Sequence, residues 1–401
     1  MTSSKENNSI KPTILLFIFI LLGLSSFSQG TGKFHTEGER IISPSGDVFI
    51  LRGANIPGPR FSWSVDIPIE KLASKVEEWG MNGVRVAWRN FQKKNNDPCG
   101  YPVEWEQNQN PSIEDYVKEF VINRGLVLII DNHDWYGENL VNHPCVSPKI
   151  RNFFVDMAKA FGTQSSRSGK FTPGKKSLNL SPKEASKIWF DLRNEPLRGS
   201  EDSNMKKLKT EYDKTIKAIR ETGANNIILL EGSRWGRDSE NPSKSWIKTY
   251  GPYFRDQYNY IVFSHHSYGW KASNEDNPDY GDLTSYYQWM IDHNMPILNG
   301  ELSKEEGGIE VTRYAYGEID KNWCEGGFKS NGALYKKGIS RLYWSFWGGD
   351  DADLTTEGGG HYIQFNGNCP VNLTEEGKII WADIKRGKKL WKAPCGGTGC
   401  N

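Results

Sequence analysis

Apolar residues along this chain follow two alternating periods. Short β-branched runs recur at Val48–Arg52, Gly83–Ala87, Leu126–Ile130, Ile188–Leu192, Asn226–Leu230, Tyr260–Phe263, Pro296–Leu298 and Arg341–Trp344. Between them lie stretches with apolar residues three and four apart, at Ile69–Trp79 (after Pro68), Ile113–Asn123, Asn204–Glu221 and Leu283–His293, with Lys378–Trp391 as a closing helix. A run such as Val127-Leu128-Ile129-Ile130 is apolar on both faces, as in a parallel strand covered by helices. Eight strand–helix alternations predict an α/β protein, a single (β/α)8 TIM barrel with loop insertions at its C-terminal face. One polar stretch, 162–184, predicts an exposed insertion before the fourth strand. Another, Gly348–Asn368, predicts a loop over the barrel mouth.

The N-terminus breaks the rhythm. Lys5 and Lys11 precede an apolar run from Ile14 to Leu24, and Ser26-Phe27-Ser28 supplies a small-x-small pattern. That run falls well short of the ~20 residues of a membrane span. It predicts a signal peptide over 1–30 ahead of one catalytic domain at 31–401, with an uncleaved anchor as the alternative. A secreted or periplasmic protein without stable membrane association follows.

Export favours disulfides for Cys99, Cys145, Cys324, Cys369, Cys395 and Cys400. Their connectivity is open; the expected pairs are Cys99–Cys145, Cys324–Cys369 and Cys395–Cys400. Asn372-Leu373-Thr374 is a glycosylation sequon. Fifty basic against 49 acidic residues leave a net charge of +1, without the basic surface that nucleic-acid binding requires. The 401 residues include 15 Trp, 17 Tyr and 18 Phe, an excess that points to flat apolar binding surfaces, while the near-neutral charge fits an uncharged partner; a monomer is expected.

Barrel active sites form at the C-terminal ends of strands. Those ends carry Arg85 (second strand), His133 (third), Asn194-Glu195 (fourth), His266 and Tyr268 (sixth), Glu301 (seventh) and Trp344 (eighth). Any one Glu or His there is more often structural; the set is what argues for chemistry. Pro196 turns the chain out after Glu195, and Gly300 lets the backbone near Glu301 approach a ligand. Two carboxylates facing each other across a barrel mouth are what glycosidic-bond hydrolysis needs. In that reading Tyr268 and Arg85 keep Glu301 ionised, Asn194 bonds a sugar 2-OH, His133 and His266 hold hydroxyls, and Trp344 stacks under the ring. Trp63, Trp88, Trp135, Trp235, Trp270 and Trp347 are candidates for further sugar subsites.

Seven motifs, in order, resemble glycoside hydrolase family 5, the cellulase family of the 4/7 retaining clan: Arg52-Gly53-Ala54-Asn55 after the first strand, Asn82-Gly83-Val84-Arg85, Asp131-Asn132-His133-Asp134, Asn194-Glu195-Pro196, His266-Ser267-Tyr268, Gly300-Glu301 and Tyr343-Trp344-Ser345. The resemblance runs from about Lys33 to Leu390. It implies that Glu195 is the acid/base and Glu301 the nucleophile, with retention at the anomeric carbon and carboxyl groups about 5–5.5 Å apart. Of the doublet His265-His266 only one residue can face the site, and the family pattern His-x-Tyr selects His266. The two long loops depart from the pattern and leave substrate preference open.

Endo-β-1,4-glucanase is the first expectation, endo-β-1,4-mannanase the second, and exo-β-1,3-glucanase or a glycolipid-cleaving relative the third. The rival from another class is an inactive carbohydrate-binding barrel, which would have lost a carboxylate. No cofactor or catalytic metal is expected, since no His-x-His ends the first strand and no His-Glu-x-x-His occurs. Asp350-Asp351 and Asp353 read as solvated charge, with calcium as the alternative. The expected partner is a polysaccharide or oligosaccharide.

Overall fold

The computed structural model describes residues 31–390 except 60–66, 90–110, 134–140, 142–144, 166, 168–170, 172–174, 241, 269–282, 305–307 and 348–352. The N-terminal apolar run, Cys99, Cys395, Cys400, Asp350, Asp351, Trp63, Trp135 and Trp270 lie outside the described residues.

Eight parallel strands close into a barrel. They are β1 (Arg52–Pro57), β2 (Gly83–Trp88), β3 (Val127–Asn132), β4 (Ile188–Asp191), β5 (Ile228–Glu231), β6 (Ile261–Tyr268), β7 (Ile297–Ser303) and β8 (Ser340–Tyr343). Each pairs with its predecessor, and β8 returns to β1 with Arg341 opposite Arg52. The (β/α)8 barrel read from the sequence is the fold observed.

The strands are apolar on both faces because they serve two cores. Val127 and Ile129, Trp189, Leu229, Val262, Leu298 and Leu342 fill the barrel interior. Leu128 and Ile130, Phe190, Leu230 and Phe263 pack outward against the helices.

Apart from the single turns Pro182–Ala185 and Ala333–Lys336, the α-helices of the described residues are α1 (Ile69–Trp79), α2 (Ile113–Tyr116, continuing as a π-helix over Val117–Ile122), α3 (Val146–Phe161), α4 (Asp202–Glu221), α5 (Trp246–Gln257), α6 (Leu283–Asp292), α7 (Ile309–Tyr316) and α8 (Glu375–Leu390). Buried Asp383 of α8 takes Arg341 Nε at 2.9 Å and lies 3.9 Å from Arg52 Nε, fastening the last helix to the strands that close the barrel. No described helix is long and apolar enough to cross a membrane.

The predicted first strand is displaced. Val48 forms a bridge with Ile42, beside a hairpin of His35–Glu37 and Arg40–Ile42, and Phe49 and Leu51 plug the barrel floor. The strand itself is the Arg-Gly-Ala-Asn-Ile-Pro segment, which crosses β2 so closely that a Cβ on Gly53 would meet the Gly83 carbonyl at 1.9 Å. The hydrophobic run was therefore the floor, and the more polar segment after it the wall.

Most described residues of the 162–184 insertion are exposed or half-buried, and a few apolar residues anchor it. Phe171 packs 5.4 Å from Phe153 and 5.9 Å from Phe161, and Leu180 is buried. Beyond β8, Gly360–Tyr362 folds back and stacks His361 on Trp347 at 4.0 Å. Two expected sugar platforms are thus packing residues: Trp347 lies under this turn, and Trp88 points into the helix layer beside Tyr116. Cys324–Cys369 is a disulfide as expected, and Cys145 is also disulfide-bonded.

Candidate active site

Following the inward positions up each strand leads from the apolar plug to a polar cluster. Val127 and Ile129 are succeeded by Asp131, Trp189 by Asp191, and Leu229 by Glu231. Arg85 stands among them, inside β2 rather than at its end, and is wholly buried. Its guanidinium donates to Asp191 Oδ2 (2.9 Å), Asn55 Oδ1 (3.0 Å), Glu301 Oε1 (2.6 Å), Asn194 Oδ1 (2.9 Å) and Glu231 Oε1 (2.9 Å), and lies 3.1 Å from Asp131 Oδ2. Five planar donors facing this many acceptors leave the group no other orientation.

Glu195 sits in the turn after β4. Its φ of 44° is left-handed, which costs about 1–2 kcal/mol for a side chain with a Cβ. Its backbone N–H donates to Glu231 Oε2 at 2.7 Å, and a charge-assisted bond of about 1.5–3 kcal/mol offsets that strain. Just before it, the Asn194 N–H bonds the Asn132 carbonyl at 3.0 Å. Arg85 occupies the Asn194 amide oxygen, which leaves the amide NH2 as the donor for a ligand.

On β6 the two histidines part. His265 turns to the helix layer, bonded to Ser239 (2.8 Å) and Tyr287 (3.2 Å), and burial followed by the charges of His266 and Arg237 pushes it down to about 3. His266 faces inward. Its Nδ1 is 3.2 Å from Glu195 Oε1 and 3.4 Å from Glu301 Oε2, and its Nε2 is 3.2 Å from Glu231 Oε1.

The ladder to β7 slips here, pairing His265 with Asn299 but His266 with Glu301, so that Gly300 is the extra residue. A Cβ on Gly300 would meet Ser264 Oγ at 2.3 Å and His266 Nε2 at 3.2 Å. The close approach that Gly300 permits is therefore to the protein's own β6, not to a ligand.

Glu301 accepts from Arg85 and from the Tyr268 hydroxyl. Its carboxylate, that of Glu195 and the His266 ring offer atoms within 4.8 Å of one another. His133, just past β3, is fixed by Asp131 at 2.6 Å, and Trp344 follows β8 with its ring parallel to His133. The site candidates named from sequence are thus gathered at one end of the barrel. Asp191 and Glu231 were missed, Asn55 and Asp131 were quoted within motifs but given no role, and all four continue the inward alternation of their strands.

The cluster is strongly charged. Burial opposes the charge on Arg85, but Asp131, Asp191, Glu301 and Glu231 outweigh it and hold the guanidinium well above its usual range. Burial also opposes the charge on His266, and Glu231 and Glu301 prevail, so the imidazole is protonated. Burial pushes Glu195 up to about 7, against the pull of His266 and with help from Glu301 and Glu231. Burial raises Asp191 to about 7 against Arg85. His133 is driven down by burial, then by Arg85 and His266, and is neutral. Glu195, His266 and Glu301 are the group that converges for a metal among the described residues.

The arrangement is one carboxyl group held by cationic and hydroxyl donors, facing a second that burial pushes up to about 7. The Cellulase (glycosyl hydrolase family 5) model matches residues 43–350. The chain belongs to that family. Relatives in it are distant. A mannan endo-1,4-beta-mannosidase of Cellvibrio japonicus is 23% identical over 331 residues, covering 80% of this chain and 66% of that protein. This chain therefore spans just under two thirds of that relative's length. An endoglucanase of Clostridium saccharobutylicum is 21% identical over 366 residues, covering 84% of this chain and 72% of its own.

The fold is shared with solved family 5 structures. The catalytic domain of a Thermobifida fusca endoglucanase superposes with a TM-score of 0.57 at 14% identity, covering 88% of this chain and 97% of that one. A β-mannanase from Thermomonospora fusca gives 0.54 at 17%, covering 87% and 94%.

Proposed function

We propose that this family 5 protein is a secreted retaining β-glycosidase acting on β-1,4-glucan, with Glu301 as nucleophile and Glu195 as acid/base. The observation that carries the reading is the pairing of Glu301, held by Arg85 and Tyr268, with a Glu195 pushed up to about 7 whose oxygen lies within 4.8 Å. Retaining enzymes place their carboxyl groups about 5–5.5 Å apart, and inverting ones about 6.5–9.5 Å.

Glu301 attacks the anomeric carbon while Glu195 passes its proton to the departing glycosidic oxygen, breaking the C–O bond and forming a glycosyl ester. Water then attacks that carbon, gives its proton to Glu195 and releases Glu301. The ester carries no charge, which removes the Coulombic contribution of Glu301 that raises Glu195 and makes Glu195 easier to ionise for the second step. The free NH2 of Asn194 suits the sugar 2-OH, and Trp344 with neutral His133 suits an apolar ring face and a hydroxyl. The net charge of +1 fits an uncharged polysaccharide, and the Ile14–Leu24 run supports export.

A second substrate reading, β-1,4-mannan, is favoured by the Cellvibrio mannosidase. Reducing-sugar release from cellulose derivatives, mixed β-glucan, mannan and β-1,3-glucan chooses among them. Proton NMR of the first product anomer tests retention. No release from any of these polymers, or an inverted product, would defeat the proposal.

A further inference from the structure

We propose that Glu231 is a positioning residue for the acid/base, its carboxylate tying the Glu195 turn and the His266 ring into one unit. The assignment rests on the reading of Glu195 as proton donor.

Glu231 ends β5 and is wholly buried, with both carboxylate oxygens engaged. Oε2 takes the Glu195 backbone N–H at 2.7 Å, and Oε1 takes Arg85 Nη2 at 2.9 Å and lies 3.2 Å from His266 Nε2. Its backbone carbonyl accepts from the Tyr212 hydroxyl at 3.2 Å, so the residue is anchored from the helix side as well. The other face of the His266 ring presents Nδ1 to Glu195 Oε1 at 3.2 Å. Glu231 therefore touches the acid/base twice, once through its backbone and once through the imidazole, without approaching the reacting atoms. The Glu195 turn is left-handed and its N–H has no sheet partner. Without an acceptor at that point, the turn loses the bond that holds its backbone, and the aim of the carboxyl is left to the His266 contact alone.

Glu231→Gln discriminates sharply. A carboxamide has one acceptor oxygen and one NH2, and Glu231 faces the Glu195 N–H on one side and the cationic donors of Arg85 and His266 on the other. Whichever way the amide turns, its NH2 meets a donor.

The test compares kcat/KM on two aryl glycosides of whichever sugar the wild-type enzyme cleaves. From a 2,4-dinitrophenyl glycoside the phenolate departs without a proton, whereas the poorer phenolate of a phenyl glycoside needs one. Loss of acid positioning predicts a fall of about 100-fold on the phenyl glycoside and less than about fivefold on the dinitrophenyl one. The ratio does not depend on how much of the variant is folded. Glu231→Asp, which keeps the charge but shortens the reach, should shift the ratio the same way by less, and it replaces Glu231→Gln if that variant is insoluble. Equal losses on both substrates, or no loss, overturn the assignment. Failure of wild-type protein to release reducing sugar from any of the polymers named above instead overturns the glycosidase reading itself.

Discussion

Trp344 lies parallel to the imidazole of His133, their ring centroids 5.3 Å apart and their planes 8° from coplanar. Asp131 holds the imidazole at 2.6 Å from below, so the indole rests on a fixed surface. If Trp344 is the floor under the reacting sugar, Trp344→Ala should lower kcat/KM about 30-fold, equivalent to about 2 kcal/mol of lost apolar contact. Trp344→Phe should recover part of the loss. Steady-state kinetics on a soluble polymer checks this, and an alanine variant within threefold of wild type would remove Trp344 from the sugar site.

Glu301→Gln should abolish turnover, and Glu195→Gln should reduce it about 10²–10⁴-fold on unactivated glycans. Glu195→Ala with a dinitrophenyl glycoside should be rescued by azide, giving a glycosyl azide of retained configuration. The product is identified by NMR, and an inverted azide would contradict the double displacement.

The active form needs Glu195 protonated and Glu301 ionised. Since burial pushes Glu195 up to about 7, kcat/KM should fall tenfold per unit above about pH 7. The Glu195→Gln variant, assayed on an activated substrate, should lack that limb. A limb that persists in the variant assigns it to another group.

The same shift acts on stability. The folded pKa of Glu195 lies above its unfolded value, so the associated stability is full below about pH 4 and is lost as pH rises through about 7. Above that, wild-type protein carries a half-buried carboxylate beside Glu301 and Glu231 that Glu195→Gln does not. The variant should gain up to about 3 kcal/mol relative to wild type between pH 5 and 9. Urea unfolding at the two pH values measures it.

Asp383 offers a contrast far from the chemistry. Burial resists its charge, but Arg341 and Arg52 prevail and hold its carboxyl below the usual range. This contribution is present above about pH 4 and lost as pH falls. Asp383→Asn leaves two buried guanidinium groups short of a counter-charge and should cost about 3–5 kcal/mol. Thermal unfolding at pH 7 checks this, with kcat at 25 °C expected unchanged.

The barrel was legible because strands serving two cores must be apolar on both faces, and eight such runs alternate with helical periods along the chain. The residues at Arg85, Asn194, Glu195, His266, Tyr268 and Glu301 were legible because polar groups interrupt those runs where burial would otherwise forbid them. Glu231, Asp131 and Asp191 were hidden by the same reading. Glu231 and Asp131 each follow an apolar run as a single acid, which looks like the start of a solvated loop, and Asp191 interrupts one just before its end; only the inward alternation, followed through, marks all three. Trp88 misled for a related reason: nearness to the mouth in sequence does not say which side of the wall a residue takes. The β1 boundary was lost because an apolar floor and an apolar wall look alike in one dimension.

The extra residue at Gly300 sets the phase of everything above it on β7. Below it Leu298 points into the barrel and Asn299 out; above it Glu301 points in and Leu302 out, reversing the odd–even rule. Moving the bulge past Glu301 would exchange these neighbours across the wall, sending a carboxylate among the helices and a leucine into the site. Such a molecule would keep its strands, its helices and nearly its outline, and would have no nucleophile. The cost of stranding that carboxylate in an apolar layer is what keeps the phase where it is, so the position of the nucleophile is enforced by the helices outside the barrel as much as by the donors within it.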